Sequence, residues 1–347
     1  MRTPSWEGGK EWQMNSKFKA GAVAALAGAL VLSGCSGEKK ETVDVVGFSI
    51  LKSANEDVFK AFEGTDDGRG VTFKTSYGAS GDQSRAVAGG QAADFVHFSL
   101  ETDVTRLVDE GKVDKDWNQD KTKGIITSSV VVFVVRPGNP DNIKTWEDLV
   151  KPGVEVITPN PASSGSARWN ILAGWGHVTA NGGSEAEAEA YTSKLIKNTI
   201  NLPGSGREAT SAFVDGGQGD VLLSYENEAI LAKQQGQDID YVIPPETLLI
   251  ENPGAVTKDA DDKATAFKDF LHTEEAQTLY AKAGFRPVGV DVQTDVEGAN
   301  DPSNPFPAPE KLLTITDDFG GWDATATKFF DEENGIVTKI QDSSGVS

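Results

Sequence analysis

Thr158-Pro159-Asn160-Pro161-Ala162-Ser163-Ser164-Gly165-Ser166-Ala167-Arg168-Trp169-Asn170 reads as a strand end, a rigid turn and a helix start. Val154, Val156 and Ile157 just before it form a short β-branched run. Pro159 and Pro161 stop that run and set the chain direction. Ser163 or Ser164 can cap the helix that follows, which runs through Arg168, Ile171, Leu172 and Trp175. Gly165 lets the backbone come close to a guest. A helix N-terminus offers unbonded N–H groups and the positive end of the helix dipole, so it suits an oxyanion. The same pattern also serves as an ordinary capped turn, and this stretch alone does not separate the two.

Two further junctions have the same form. Residues 71–77 alternate as a strand and feed Gly78-Ala79-Ser80-Gly81-Asp82, ahead of a helix over 83–88. Leu202-Pro203-Gly204-Ser205-Gly206-Arg207 precedes a helix through Ala209, Phe213 and Val214. Other strands are expected over 43–50, 93–98, 220–224 and 241–243, and a doubly buried one over 128–135. Helices are expected over 104–110, 185–197, 226–234, 264–271, 274–282 and 323–330, with a short one over 146–150. Residues 335–340 read as helix or strand, and 291–309 as loop. Alternation of strands with helices predicts an α/β protein with mainly parallel sheets. Ligands of such sheets bind beyond the strand carboxyl ends, where helix N-termini gather. If the three junctions converge, they supply hydroxyls and main-chain N–H groups without a cationic side chain.

The chain has 347 residues, enough for about two domains. Sixteen Phe and seven Trp provide material for packed cores. The net charge of −21 argues against nucleic acid, whose binding is largely phosphate neutralisation, and against an anionic lipid surface. It leaves a small anion possible, because N–H dipoles in a dry cleft outweigh a screened distant field. The single cysteine, Cys35, excludes an internal disulfide and a cysteine metal cluster. Lys17 and Lys19 precede an apolar run over 22–32, followed by Leu32-Ser33-Gly34-Cys35. That is a secretion signal, too short to span a membrane as an ordinary helix. Residues 1–34 are therefore expected to be removed, with Met14 as a possible true start. They hold four cations against two carboxylates, so their loss shifts the charge from −21 to −23.

Several chemistries lack their motifs. The chain has no P-loop, no dinucleotide fingerprint and no His-Glu-x-x-His. His97, His177 and His272 lie far apart and read as surface or core residues. Asp114, Asp116, Asn118 and Asp120 lack the glycine and glutamate of a calcium loop and read as a solvated turn. No metal or cofactor is expected. Gly-x-Ser-x-Gly is absent around Ser80, Ser164 and Ser166, and no base is near them in sequence, which disfavours a serine hydrolase. Arg168 and Arg207 are expected to pair with carboxylates rather than face a ligand.

The 158–170 stretch resembles the signature of the bacterial sulfate-binding proteins of ABC importers. Ser80-Gly81, residues 124–139, Lys151-Pro152-Gly153-Val154, Asp220-Val221-Leu222, Glu226-Asn227-Glu228-Ala229 and Phe319-Gly320-Gly321-Trp322 also match, so the likeness runs from about 45 to 330. The end of the leader, Leu-Ser-Gly-Cys, resembles a bacterial lipobox, which makes Cys35 the lipidated first residue and 35–42 a tether. The resemblance implies a two-lobed, type II periplasmic-binding-protein fold, each lobe a mainly parallel sheet flanked by helices. It places lobe I at 43–129 and 245–347 and lobe II at 130–244, with hinge crossings near Val130 and Pro244. It implies a monomeric, non-enzymatic receptor in the periplasm or on the outer face of the cytoplasmic membrane, handing sulfate to the transmembrane subunits of an ABC transporter. By the same resemblance Ser80 gives a hydroxyl and an N–H, Ser164 a hydroxyl, and Gly165, Ser166 and Gly206 main-chain N–H groups. Tyr225 stands where the family has a Trp donor, Ser49 where it has an orienting Asp, and Ser166 where it has Gly. The ligand order is then sulfate, thiosulfate, phosphate; a protonated phosphate needs an acceptor, and Asp82 is near in sequence.

Overall fold

A computed structural model describes residues 41–345. The expected leader, Cys35 and most of the tether lie outside these residues. The chain starts with β1 (Glu41–Phe48), α1 (Leu51–Glu63), β2 (Val71–Gly78), α2 (Ser80–Ala88), β3 (Phe95–His97) and α3 (Glu101–Asp109). Glu41 and Thr42, expected in the tether, already pair with Val71 and Thr72. Next come β4 (Ile125–Val135), a 3-10 turn at Trp146–Val150, β5 (Val156–Ile157), α4 (Gly165–Ala180), α5 (Glu185–Lys197) and β6 (Thr199–Asn201). Then follow α6 (Gly206–Val214), β7 (Val221–Tyr225), α7 (Glu226–Gln234), β8 (Asp240–Val242) and β9 (Glu246–Val256). The chain ends with α8 (Asp262–Leu271), α9 (Glu274–Lys282), β10 (Lys311–Leu313), α10 (Ile315–Phe319), α11 (Trp322–Phe330) and α12 (Ile336–Ser344). No described helix is long and apolar enough to cross a membrane.

The strands follow the order β2-β1-β3-β9-β4-β7-β5-β6. At one end β1 runs parallel to β2 and β3; at the other, β5 runs parallel to β6 and β7. Helices cover both groups, which makes the fold two-lobed α/β. The two groups are joined by long antiparallel strands. β4 pairs with β9 from Ile125 to Val130 and with β7 from Val131 to Val135. β9 pairs with β4 as far as Pro253, then with β3 from Gly254 to Val256.

β4 is the apolar run of the sequence, and Val130 to Val135 are all buried. β9 had no counterpart in the sequence reading. Its Glu251-Asn252-Pro253-Gly254 core looks like a turn. Pro253 fits because it sits where the strand changes partner, and its carbonyl accepts the Phe98 N–H at 2.9 Å. Gly254 fits because a side chain there would meet Phe95 and Ile126 at 2.7 Å. The 335–340 ambiguity resolves as helix α12.

One large core packs Phe62, Phe95, Phe133, Trp146, Trp169 and Phe267 with the inward faces of both strand groups. Burial at about 25 cal/mol per Å² of apolar surface is what holds β4 and β9 in the interior. Smaller clusters lie under α6 and α7 and under α3.

Candidate functional site

Four helices begin on one small cavity. α2 starts at Ser80 after an extended Ala79, and α4 at Gly165 after an extended Ser164. α6 starts at Gly206 after an extended Ser205, and α1 at Leu51 after Ile50. Residues from all four junctions line a cavity of about 10 Å³. Its wall carries Ser49, Ser80, Ser99, Ser164, Ser166 and Ser205, together with Ile50, Gly165 and Gly206, and no ionisable side chain. The first N–H groups of each helix have no carbonyl acceptor in their own helix. Their dipoles add to a positive potential at the point where the helices meet. Such a cavity suits an acceptor-rich anion that needs no counter-charge.

Six of the seven expected site residues come together on this wall: Ser49, Ser80, Ser164, Gly165, Ser166 and Gly206. Tyr225 does not line it. Its phenol lies behind, fully buried, 2.7 Å from Ser99 Oγ. Burial pushes the Tyr225 hydroxyl up from its ordinary range, opposed by the neighbouring Ser99, Asn252 and Ser166 side chains. Ser164 makes no side-chain bond to its own helix, contrary to the expected cap, so its hydroxyl stays available at the wall. Ser163 donates instead to the Gly204 carbonyl at 2.8 Å, tying two of the junctions together.

Two wall or near-wall residues escaped the sequence reading. Ser99 follows β3, and its N–H donates to Ser80 Oγ at 2.9 Å. Asp103, on α3, accepts the Ser80 hydroxyl at 2.6 Å and Arg106 at 2.9 Å. Neither sits in a Gly/Ser turn, so no local signal marked them.

The lobes touch across the site. The Gly81 N–H donates to the Ser163 carbonyl at 3.1 Å. Trp169 Nε1 donates to the Ser99 carbonyl at 3.0 Å. A side chain on Gly165 would meet Ser99 Oγ at 2.4 Å, so only glycine permits this approach.

The charged candidates stay off the cavity. Arg207 pairs with the buried Glu228 at 2.8 Å, as expected. Burial pushes the Glu228 carboxyl up and the Arg207 charge opposes it. Arg168 differs from expectation: its Nε donates to the Pro161 carbonyl, and its guanidinium lies 4.8 Å over the Phe330 ring. It borders a separate surface hollow with Arg85 and Arg106. Asp82 is held by Arg85 at 2.5 Å, away from the wall. His97 is buried beside Thr127, and His177 bridges Glu147 and Glu246 at 2.9 and 3.0 Å. Asp120 bonds the N–H groups of Thr122 and Gly124, closing the turn read from its sequence. No cluster of three or more His, Cys, Asp or Glu suited to a metal occurs among the described residues.

Known proteins share this arrangement of strands. The chain is 39% identical over 352 residues to a sulfate-binding protein of Synechococcus elongatus, covering 95% of this chain and 97% of the relative. It is 32% identical to a thiosulfate-binding protein of Pseudomonas aeruginosa, with 92% and 97% covered. The solved sulfate-binding protein SubI of Mycobacterium tuberculosis superposes with a TM-score of 0.78 at 48% identity, covering 84% of this chain and all of that one. Residues 43–286 match the family described as bacterial extracellular solute-binding protein. The family match over more than half of the chain, together with these relatives, places this chain in the bacterial extracellular solute-binding protein family.

Proposed function

We propose that this protein is an extracytoplasmic receptor that captures sulfate between its lobes and delivers it to the transmembrane subunits of an ABC importer. The observation that carries the reading is the wall of the cavity: helix N-termini and hydroxyls, and no ionisable side chain. Donors alone favour a fully ionised oxyanion. A protonated phosphate would meet no carboxylate acceptor on the wall, because Asp103 is engaged by Ser80 and Arg106 and Asp82 by Arg85. The names of the relatives agree with this ligand class.

In this reading Ser80, Gly165, Ser166 and Gly206 present main-chain N–H groups to the guest. Ser164 adds a hydroxyl, and Ser49 faces the site from the start of α1. Catalysis is not part of the role. Ser80 donates to a carboxylate rather than to a histidine, and no histidine lines the cavity. Residues 1–34 act as the leader, Cys35 carries the lipid that tethers the receptor, and the receptor works as a monomer.

Thiosulfate is the second reading, favoured by the Pseudomonas aeruginosa relative. Titration calorimetry with sulfate, thiosulfate, phosphate and molybdate tests the ligand. Sulfate is expected to bind in preference to the others; no heat with any of the four would refute the proposal. Mass spectrometry of the membrane-bound protein tests the anchor, with a diacylglyceryl adduct expected on Cys35.

A further inference from the structure

The hydroxyls around the cavity are not equivalent. Ser80 Oγ donates to Asp103 Oδ2 at 2.6 Å and accepts the Ser99 N–H at 2.9 Å. A hydroxyl has one proton, and an ionised carboxylate only accepts. The Ser80 proton is therefore committed to Asp103, which Arg106 holds at 2.9 Å from the other side. Ser80 can offer a guest its N–H but not its hydroxyl.

Ser99 and Ser166 are different. Ser99 is 1% exposed, lines the cavity, and is pinned at its carbonyl by Trp169 Nε1 at 3.0 Å and Asn252 Nδ2 at 3.3 Å. Its Oγ lies 2.7 Å from the Tyr225 phenol behind it. Ser166 is 4% exposed and lines the same cavity; its Oγ lies near the Tyr225 hydroxyl but makes no full hydrogen bond to any described residue. A buried hydroxyl left without a partner is costly, so such a group points to a guest that completes it.

We propose that, alongside Ser164, the Ser166 and Ser99 hydroxyls are side-chain donors that select the guest, and that Tyr225 is a positioning residue acting through Ser99. The inference rests on the oxyanion reading above. With an anion in the cavity, the Tyr225 proton points to Ser99 Oγ and the Ser99 proton turns to the anion. Each bond in such a chain polarises the next. Ser166 donates directly. Hydroxyl donors favour oxygen, and sulfur is a weak acceptor. Both groups therefore discriminate for sulfate over thiosulfate.

The test is calorimetric titration of the full chain with sulfate and with thiosulfate. It compares wild type, Ser166→Ala, Ser99→Ala, Tyr225→Phe and the Ser99→Ala/Tyr225→Phe double variant, with ligand-free melting as the folding control. Ser166→Ala is expected to bind sulfate roughly 10- to 100-fold more weakly and to lose less for thiosulfate, which narrows the selectivity. Tyr225→Phe is expected to weaken wild type but to add nothing in the Ser99→Ala background. If Ser166→Ala melts early, Ser166→Gly takes its place with the same expectation. Wild type that binds sulfate, with Ser166→Ala unchanged in affinity and selectivity, overturns this inference alone. A full Tyr225→Phe loss on top of Ser99→Ala overturns the relay. Wild type that binds neither anion overturns the oxyanion reading and the inference with it.

Discussion

Gly165→Ala separates closure of the lobes from folding. The added Cβ would lie 2.4 Å from Ser99 Oγ, 2.7 Å from Ser99 Cβ and 2.8 Å from Leu100 Cγ. Ordinary contact begins at 3.4 Å, so the lobes must part by about 1 Å at this point. Ser99 is held by its own carbonyl and N–H bonds and cannot step aside cheaply. Three bonds cross here: Ser99 to Tyr225 at 2.7 Å, Trp169 to Ser99 at 3.0 Å and Gly81 to Ser163 at 3.1 Å. An extra ångström takes all three out of hydrogen-bond range. At about 0.5–1.5 kcal/mol each, the closed state loses roughly 1.5–4.5 kcal/mol. Sulfate affinity should then fall by roughly one to three decades. Gly165 has no left-handed backbone angle and opens a helix, where alanine is well tolerated. The ligand-free melting temperature should therefore hold or rise slightly. Calorimetry and thermal melting check both halves. Unchanged sulfate affinity refutes the clash argument. An early-melting, ligand-free protein refutes the claim that the clash belongs to closure.

Gly206→Ala should be milder, about 1 kcal/mol of binding, because its Cβ meets the movable Ile50 Cδ1 at 3.0 Å and Ser166 Oγ at 3.3 Å; a larger loss than for Gly165→Ala would contradict the ranking. Arg286 holds the fully buried Glu226 through two bonds, at 2.7 and 3.1 Å. Arg286→Met should lower unfolding stability by about 3–5 kcal/mol near neutral pH. Burial raises the Glu226 carboxyl even beside its partner, so the protonated form favours the fold and this contribution is lost as pH rises. Denaturant titrations of the variant should therefore recover stability on acidification; a deficit that does not depend on pH would speak against an orphaned carboxylate. Burial holds the His97 imidazole down to about 3, with His272 adding to the effect. The unfolded chain takes that proton near 6.5 and the folded chain does not, so stability should fall as pH drops from 6.5 toward 3, by at most about 1.4 kcal/mol per pH unit. His97→Gln should flatten that slope in acid melting curves, and an identical slope would exclude His97 as its source.

The three Gly/Ser junctions were legible because a helix start is a local event. An extended residue, a small side chain and a following apolar period suffice to mark it, and Ser80, Gly165 and Gly206 each begin a helix. The β4 run was legible for a similar reason, since a strand buried on both faces is apolar throughout. What the sequence by itself determined, then, was the alternation of strands and helices and the places where N–H groups are exposed. The tertiary structure decided which of these meet. β9 was invisible because Pro253-Gly254 is a turn by local preference, and only its change of partner from β4 to β3 makes it a strand. Ser99 carried no signal, because its role comes from Tyr225, 126 residues away, and from Trp169, 70 residues away. Tyr225 sits behind the wall rather than on it, and the proton of Ser80 is taken by Asp103, 23 residues on. Local backbone preference acts over a few residues, whereas the direction of a buried hydroxyl depends on whatever the folded chain brings within 3 Å of it.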